Sequence, residues 1–499
     1  MTSSPPPPGA AATGVVGLDD ILGGGLPRDH VYLVQGHPGV GKTTLALQFL
    51  LEGARRGERG LYITLSESEA ELREGAASHG WSLDGVNVFE FKPAAHPPDE
   101  DEDYTIFHAA EVELGEAMKT LLDEVARVRP ARVVFDSLSD IRMMAQQPLR
   151  YRRQILALKQ HFAGTHCTVL LLDDLTSSAE DKQLESLAHG VVALEQVPPA
   201  YGVDRRRLRV TKLRGVRFRT GYHDFLVDTG GLRVFPRLVA AEHRRAAAFG
   251  LAGSALPALD ALLGGGLDRG RSALVLGPAG SGKSALATQY AVAAAARGER
   301  VALYAFDESA STLFARAGRL GAQLQRHVEA GLIAIRQVDP AELSPGEFAH
   351  EVRAAVERDE ARVVVIDSLN GYLHAMPEAQ FLLVHLHELL AYLNQQGVVT
   401  ILISAQHGFL GATMMSAVDV SYLADTVILL RYFEAEGSVR KAISVLKRRA
   451  GPHERTIREF AIGEEGVVIG APLEGFRGVL TGVPTYVGAE PKDDGPSPP

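Results

Sequence analysis

Short runs rich in Val, Ile and Leu, apolar at every position, alternate along the chain with longer stretches whose apolar residues recur at helical spacing. In the first half the runs predict strands at 31–35, 61–65, 132–135 and 168–172, with helices such as 43–55 and 151–162 between them. In the second half the runs predict strands at 272–276, 301–306, 362–366 and 399–404. Strands that are apolar on both faces and joined by helices predict an α/β fold, a mostly parallel sheet covered on both sides. In such sheets ligands bind at the carboxyl ends of the strands.

The pattern occurs twice. The stretch from Gly17 through Leu18, Asp19 and three glycines to Leu26 recurs as Leu256 to Leu267. Lys42 recurs as Lys283 and Glu67 as Glu308 at one common offset, and Asp136 as Asp367 at a shorter one. The shortfall fits an extra loop in the first copy, at the Pro- and acid-rich stretch 96–103, which reads as a solvated surface loop. The predicted division is a disordered N-terminus over 1–14, a first domain over 15–242 and a linker over 243–250. A second domain over 251–477 and a C-terminal segment with a disordered tail over 478–499 complete it.

A chain of 499 residues exceeds what one core usually supports, and 46% hydrophobic with 22% charged residues is ordinary for a soluble protein. The single cysteine, Cys167, excludes a disulfide framework and a cysteine-based zinc site, and it reads as a buried small hydrophobe. No apolar run reaches the roughly eighteen residues of a membrane span. The N-terminus lacks the basic and apolar parts of a signal peptide, so the cytoplasm is the expected location. A net charge of −10 argues against a sequence-independent grip on nucleic acid.

The candidate chemistry begins where the first strand of each half ends. Gly36, Gly39, Val40, Gly41, Lys42 and Thr43 fall in a G-x-x-x-x-G-K-[ST] motif, as do Gly277, Gly280, Ser281, Gly282, Lys283 and Ser284. Each motif follows a predicted strand and opens a predicted helix, whose next residues are Thr44 and Ala285. Glycines let backbone N–H groups turn inward around phosphates, and the helix N-terminus adds partial positive charge. The lysine neutralises β- and γ-phosphate oxygens, and Thr43 or Ser284 offers a hydroxyl to Mg²⁺. ATP with Mg²⁺ is therefore the expected ligand of both halves, in RecA-like P-loop domains.

Asp136 and Asp367 each close an apolar strand, where a carboxylate holds Mg²⁺ through its water shell; the bland alternative is a helix cap. Glu67 in the first half, and Asp307 with Glu308 in the second, stand just past the strand after the P-loop helix. A carboxylate there can deprotonate a water or a hydroxyl. Ser66 and Ser68 offer the capping alternative. Lys212 with Arg214, and Lys447 with Arg449, are two apart on predicted strands and face one side, as cations offered to a neighbour's phosphate would. Arg205, Arg206 and Arg207 read instead as a solvated basic edge strand. His385 and His387 diverge on a predicted helix over 381–393 and do not share a metal.

These motifs, with Lys212-Leu213-Arg214-Gly215, the stretch Ala424 to Leu430, Thr456 to Phe460 and Phe476 to Thr485, resemble the KaiC family of double-domain RecA-like ATPases. The resemblance runs from Gly17 to Val483. It implies a homohexamer of two rings with ATP between subunits, hydrolysis in the first ring, and serine/threonine autokinase and autophosphatase chemistry in the second. It implies that Lys212, Arg214, Lys447 and Arg449 act across the interface, with Leu213 and Arg448 beside them as nucleotide-binding residues. It adds Ser78, Asp228, Lys441 and His453 as further nucleotide contacts.

Three departures stand out. The family's paired glutamates are Ser66-Glu67 and Asp307-Glu308 here. Its adjacent Ser and Thr phosphoacceptors are Ser421-Tyr422, so only Ser421 matches. The segment after Val483 does not resemble the part that clock regulators engage, which argues against a circadian role. The expected function is an ATPase with serine autokinase activity at Ser421, serving as a signalling or timing switch. The alternatives are a DNA-stimulated motor of the recombinase or helicase class and a non-catalytic scaffold assembled by ATP.

Overall fold

A computed structural model describes residues 9–92, 109–175, 181–198, 202–244, 250–316, 318–373, 379–406, 421–463, 466–481 and 485–488. The predicted loop at 96–103 and the stretches 1–8, 245–249 and 489–499 lie outside the described residues. The chain divides into two compact units, the first ending at Arg237 and the second opening at Leu238.

Each unit is built on a nine-stranded sheet. In the first, Val86–Glu90, Gly60–Thr64, Arg132–Asp136, Thr168–Asp174, Val31–Gly36 and Gly190–Val197 lie side by side and parallel. Arg205–Leu213, His223–Asp228 and Gly231–Phe235 continue the sheet antiparallel. The second unit repeats the order, from Ile333–Gln337 to Gly466–Pro472, with Ser272–Gly277 in the place of Val31–Gly36. The eight predicted strands are all present, each within two residues of its expected ends. The antiparallel extension is additional to them.

Both faces of the parallel strands are buried because successive side chains alternate and each face meets helices. In the first unit Tyr32, Val34, Tyr62 and Val134 pack under the helix Lys42–Arg55 through Leu45 and Phe49. Leu33, Ile63, Val133 and Phe135 face the helices Ala109–Val128, Leu138–Ala145 and Pro148–Phe162. The second unit does the same with Val275 and Val365 under Lys283–Ala296, and Leu274 and Ile366 against Pro345–Glu357 and Ala379–Gln395. Cys167 is buried, as expected of a small hydrophobe.

Three expectations are corrected. Order begins before residue 15: Ala10–Ala11 pairs with Leu26–Pro27, and Thr13 is held by Asp19. The second unit opens before residue 243, because Leu238 and Ala240 are buried in its core and the Ala240 N–H donates to Glu388. Arg205–Leu213 is not an edge strand: it lies between two others, Arg205 is buried, and Arg207 pairs with Glu195 at 2.9 Å. The C-terminal segment also carries structure, with Thr485–Tyr486 paired to Phe476–Arg477 and Val479 buried.

Arg132 ties these layers together. It is fully buried, its Nε lies 2.5 Å from Glu58, and its Nη1 donates to the carbonyls of Ala12 and Phe49 at 2.7 Å each. A Cβ at position 53 would lie 2.6 Å from the Arg132 side chain, so the helix needs Gly53 where the arginine passes. Removing one partner of such a pair leaves an uncompensated charge, costing about 3–5 kcal/mol. Glu58→Ala is expected to lower the first unit's unfolding free energy by roughly that amount. Urea titration followed by the single tryptophan, Trp81, reads the first unit; an unchanged midpoint would remove Arg132 from this role.

Candidate functional site

At the centre of each sheet a strand runs into a glycine loop that opens a helix, Lys42–Arg55 in the first unit and Lys283–Ala296 in the second. Gly39 (φ 77°) and Gly41 (φ 113°), like Gly280 (φ 72°) and Gly282 (φ 105°), adopt the left-handed conformation that disfavours other residues. Gly36 and Gly277 are required by space: a Cβ at Gly36 would lie 2.8 Å from the Leu194 carbonyl, and one at Gly277 2.7 Å from that of Leu430. Val40 and Ser281 are fully buried, so they offer the site their backbone. Gly41 and Gly282 cap the two helices without a side-chain hydrogen bond, leaving the first-turn N–H groups to face an anion. The helix Glu69–Ser78, in contrast, is closed by a capping box of Ser68 and Glu71.

Both P-loop lysines are buried. Lys42 Nζ donates to the carbonyls of Gly36 and His37 and pairs with Asp174 at 2.8 Å. Lys283 Nζ donates to the Pro278 carbonyl at 2.8 Å. The Thr43 hydroxyl donates to Asp136 at 2.9 Å, and the Tyr62 hydroxyl donates to the same carboxylate oxygen. Burial pushes the Asp136 carboxyl above its ordinary range, against the opposing pull of the Tyr62 and Thr43 hydroxyls and of Lys42. Asp367 closes the corresponding strand Ala361–Asp367 beyond Ser284. Neither aspartate is a cap; Ser137 caps the helix after Asp136.

Glu67 is fixed by its backbone, since the Thr64 hydroxyl donates to its carbonyl and accepts from its N–H. Glu67, Thr43, Thr44 and Ser78 line one cavity of about 320 Å³. Desolvation, then the charges of Asp136 and Glu71, raise the Glu67 carboxyl. In the second unit Ala305 replaces Thr64, and the Ser368 hydroxyl holds the Asp307 carboxylate beside Glu308.

The structure gathers most of the P-loop residues with their acids, and it places the further expected contacts around them. Asp228 lines a neighbouring groove of about 910 Å³ with Trp81; its carbonyl accepts from His79, the residue after Ser78. Lys441 stands 5.9 Å over the Tyr432 ring, whose hydroxyl donates to the P-loop carbonyl of Ala279. His453 is half-buried in the turn after Arg448.

The late cations bind main chain. Lys212 reaches the carbonyls of Glu185 and Ser186, and Arg214 that of Ser186. Lys447 reaches those of Ser421 and Ala424, and Arg449 that of Tyr422. Between the members of each pair the strand turns the other way. Leu213 is buried, and Asp268 holds the Arg448 side chain with two 3.1 Å bonds, so both residues have their main chain to offer a nucleotide.

The sequence model of the family described as "ATPase: KaiC" matches residues 11–239 and again 252–474. This chain belongs to that family. It is 27% identical over 495 residues to the circadian clock oscillator protein KaiC of Acaryochloris marina, covering 97% of this chain and 92% of that protein. It is 27% identical over 482 residues to the circadian clock protein KaiC3 of a Synechocystis species, covering 95% and 94%. A KaiC-family chain with two RecA-like domains is an ATP-binding ATPase, and the paired cradles agree with that. Among the described residues no helix is long and apolar enough to cross a membrane.

Sequence reasoning missed Asp174, Tyr62 and Tyr432. The signal for Asp174 was present as two aspartates ending an apolar strand.

A raised carboxyl in the fold stabilises the protonated state, so its contribution is full at low pH and is lost as pH rises through the folded value. Asp136→Asn keeps an oxygen for Thr43 and Tyr62 and removes the buried charge. In nucleotide-free protein it is expected to raise the melting midpoint followed by Trp81 at neutral pH. The gain should vanish below the ordinary carboxylate range. A lower midpoint at neutral pH would contradict this account.

Proposed function

We propose that this KaiC-family chain is an ATP-driven switch that hydrolyses Mg-ATP in its first domain and transfers phosphate to Ser421 in its second. The observation that carries this reading is that Lys447 and Arg449 bond to the carbonyls of Ser421, Tyr422 and Ala424. The cation pair and the serine therefore share one patch of one protomer. A neighbour whose nucleotide meets those cations also meets the Ser421 segment. This supports an assembly with ATP between subunits, which we read as a homohexamer acting in the cytoplasm.

In the first domain Glu67 would take a proton from the attacking water, a task that a raised carboxyl suits. In the second, Asp307 or Glu308 of one protomer would take the proton from the Ser421 hydroxyl of the next. The Ser421 oxygen then bonds to the γ-phosphorus, the bond to the β-phosphate oxygen breaks, and ADP leaves with that electron pair. Lys447 and Arg449 would neutralise the charge on the transferring group.

The donors beside the first P-loop fit a hard divalent cation, since the Thr43 hydroxyl and the Asp136 carboxylate converge at 2.9 Å. Thr43 with Asp136, and Ser284 with Asp367, would hold Mg²⁺, which neutralises phosphate charge when bound. The acidic net charge disfavours the DNA-stimulated motor.

Incubation with γ-labelled Mg-ATP tests the second-domain reading. Label should appear on the protein, vanish in Lys283→Ala, and vanish in Ser421→Ala. Phosphate release with no protein label would leave a plain ATPase; undiminished label in Ser421→Ala would move the acceptor elsewhere. The first-domain reading has its own pH signature. The base must be ionised, so hydrolysis should fall on acidification at a higher pH than an ordinary carboxylate gives. Glu71→Gln keeps an oxygen for the Ser68 cap and removes a charge that raises Glu67. Its acid limb, measured in Lys283→Ala, is expected at lower pH than that of Lys283→Ala alone; an unmoved limb would argue against Glu67 as the base.

A further inference from the structure

The two P-loops differ at the tip of the strand beside them. Thr168–Asp174 pairs with Val31–Gly36 so that Asp174 lies opposite Gly36, and Val399–Ala405 pairs with Ser272–Gly277 so that Ala405 lies opposite Gly277. The following residues, Leu175 and Gln406, each donate an N–H to that glycine's carbonyl, at 3.2 and 3.1 Å. Asp174 and Ala405 therefore hold one structural position, with a carboxylate only in the first unit.

That carboxylate is aimed at the P-loop lysine. Asp174 Oδ1 lies 2.8 Å from Lys42 Nζ, and the ammonium is also held by the Gly36 and His37 carbonyls at 2.8 and 3.1 Å. Ser139 fixes the other side of Asp174: its hydroxyl donates to Oδ2 at 3.1 Å and accepts the Asp174 N–H at 3.4 Å. The Lys42 side chain is 9% exposed and that of Asp174 34%, so the pair is half-buried and screened less than a surface ion pair. The first site lacks an acid at Ser66, where the second has Asp307, and carries one at Asp174 instead.

We propose that Asp174 is a specificity-determining residue that makes the first P-loop favour nucleoside diphosphates over triphosphates, relative to the second. The inference rests on the reading of the first P-loop as a nucleotide site. A β-phosphate has the uncapped helix N-terminus to hold it as well as Lys42, so it loses less when Asp174 keeps a share of that lysine. A γ-phosphate draws on the same lysine and brings its own negative charge toward a carboxylate that Ser139 holds in place. Like charges at that range repel enough to shift an affinity ratio by roughly tenfold or more.

The test is equilibrium binding of Mg-ADP and of a non-hydrolysable Mg-ATP analogue to the full chain carrying Lys283→Ala, so that the first site is read. Adding Asp174→Asn, or Asp174→Ala to match the second unit, should lower the ratio of analogue Kd to ADP Kd about tenfold. The reciprocal variant, Ala405→Asp with Lys42→Ala, should raise that ratio at the second site. An unchanged ratio in both directions overturns the proposal, as does lost hydrolysis with no change in ratio, which would make Asp174 part of the hydrolytic machinery. Failure of Lys283→Ala protein to bind either nucleotide would overturn the nucleotide-site reading, and this inference with it.

Discussion

Each unit is organised by a lysine ammonium withdrawn from water. Lys42 and Lys283 are 8% and 7% exposed, and a buried charge is tolerated only when acceptors surround it. The loop supplies acceptors from its own main chain, the carbonyls of Gly36 and His37 in one unit and of Pro278 in the other. A backbone curled far enough to do this needs left-handed residues at its turns, hence the glycines. It also needs a rigid origin. The strand feeding the loop lies at the middle of the sheet, with a parallel neighbour on each side and helices on both faces. The same curl that solvates the lysine leaves the helix N-terminus uncapped and able to receive phosphate.

Around that shared frame the two copies distribute their acids differently. In the first, Thr64 clasps the backbone of Glu67, and Asp174 faces the lysine. In the second, Ala305 and Ala405 take the places of Thr64 and Asp174, and the acid appears as Asp307, steadied by Ser368. Duplication kept what the ammonium and the phosphates require. It left free what surrounds the reacting end of the nucleotide, where two sites in one chain can take different roles.

The strands, both cradles, and Asp136 and Asp367 were legible because each depends on residues close in sequence: an apolar run, a glycine spacing, an acid at a strand end. The Asp174–Lys42 pair was not, since its partners are 132 residues apart and meet only because their strands are neighbours. Arg205 misled for the same reason. Three arginines in a row have the composition of a solvated edge, yet two further strands cover Arg205–Leu213, and these short antiparallel pieces carry little periodicity of their own. Arg448 shows the limit of a motif. Its spacing marks it beside two cations, but strand alternation turns it inward to Asp268.

At the interface proposed here, the late cations are already satisfied within the protomer. Lys212 and Arg214, like Lys447 and Arg449, bond to neutral carbonyls just ahead of the next parallel strand, Gly190–Val197 or Thr426–Ala435, and Arg449 also lies 3.7 Å from the Asp425 carboxylate. Charge-assisted bonds to phosphate are stronger than bonds to carbonyls. In the proposed hexamer, a neighbour's nucleotide would therefore draw the cations off these segments. In the second unit the released segment carries Ser421. Nucleotide occupancy on one protomer would then change the freedom of the acceptor on the next, a coupling whose strength is the difference between the two sets of bonds.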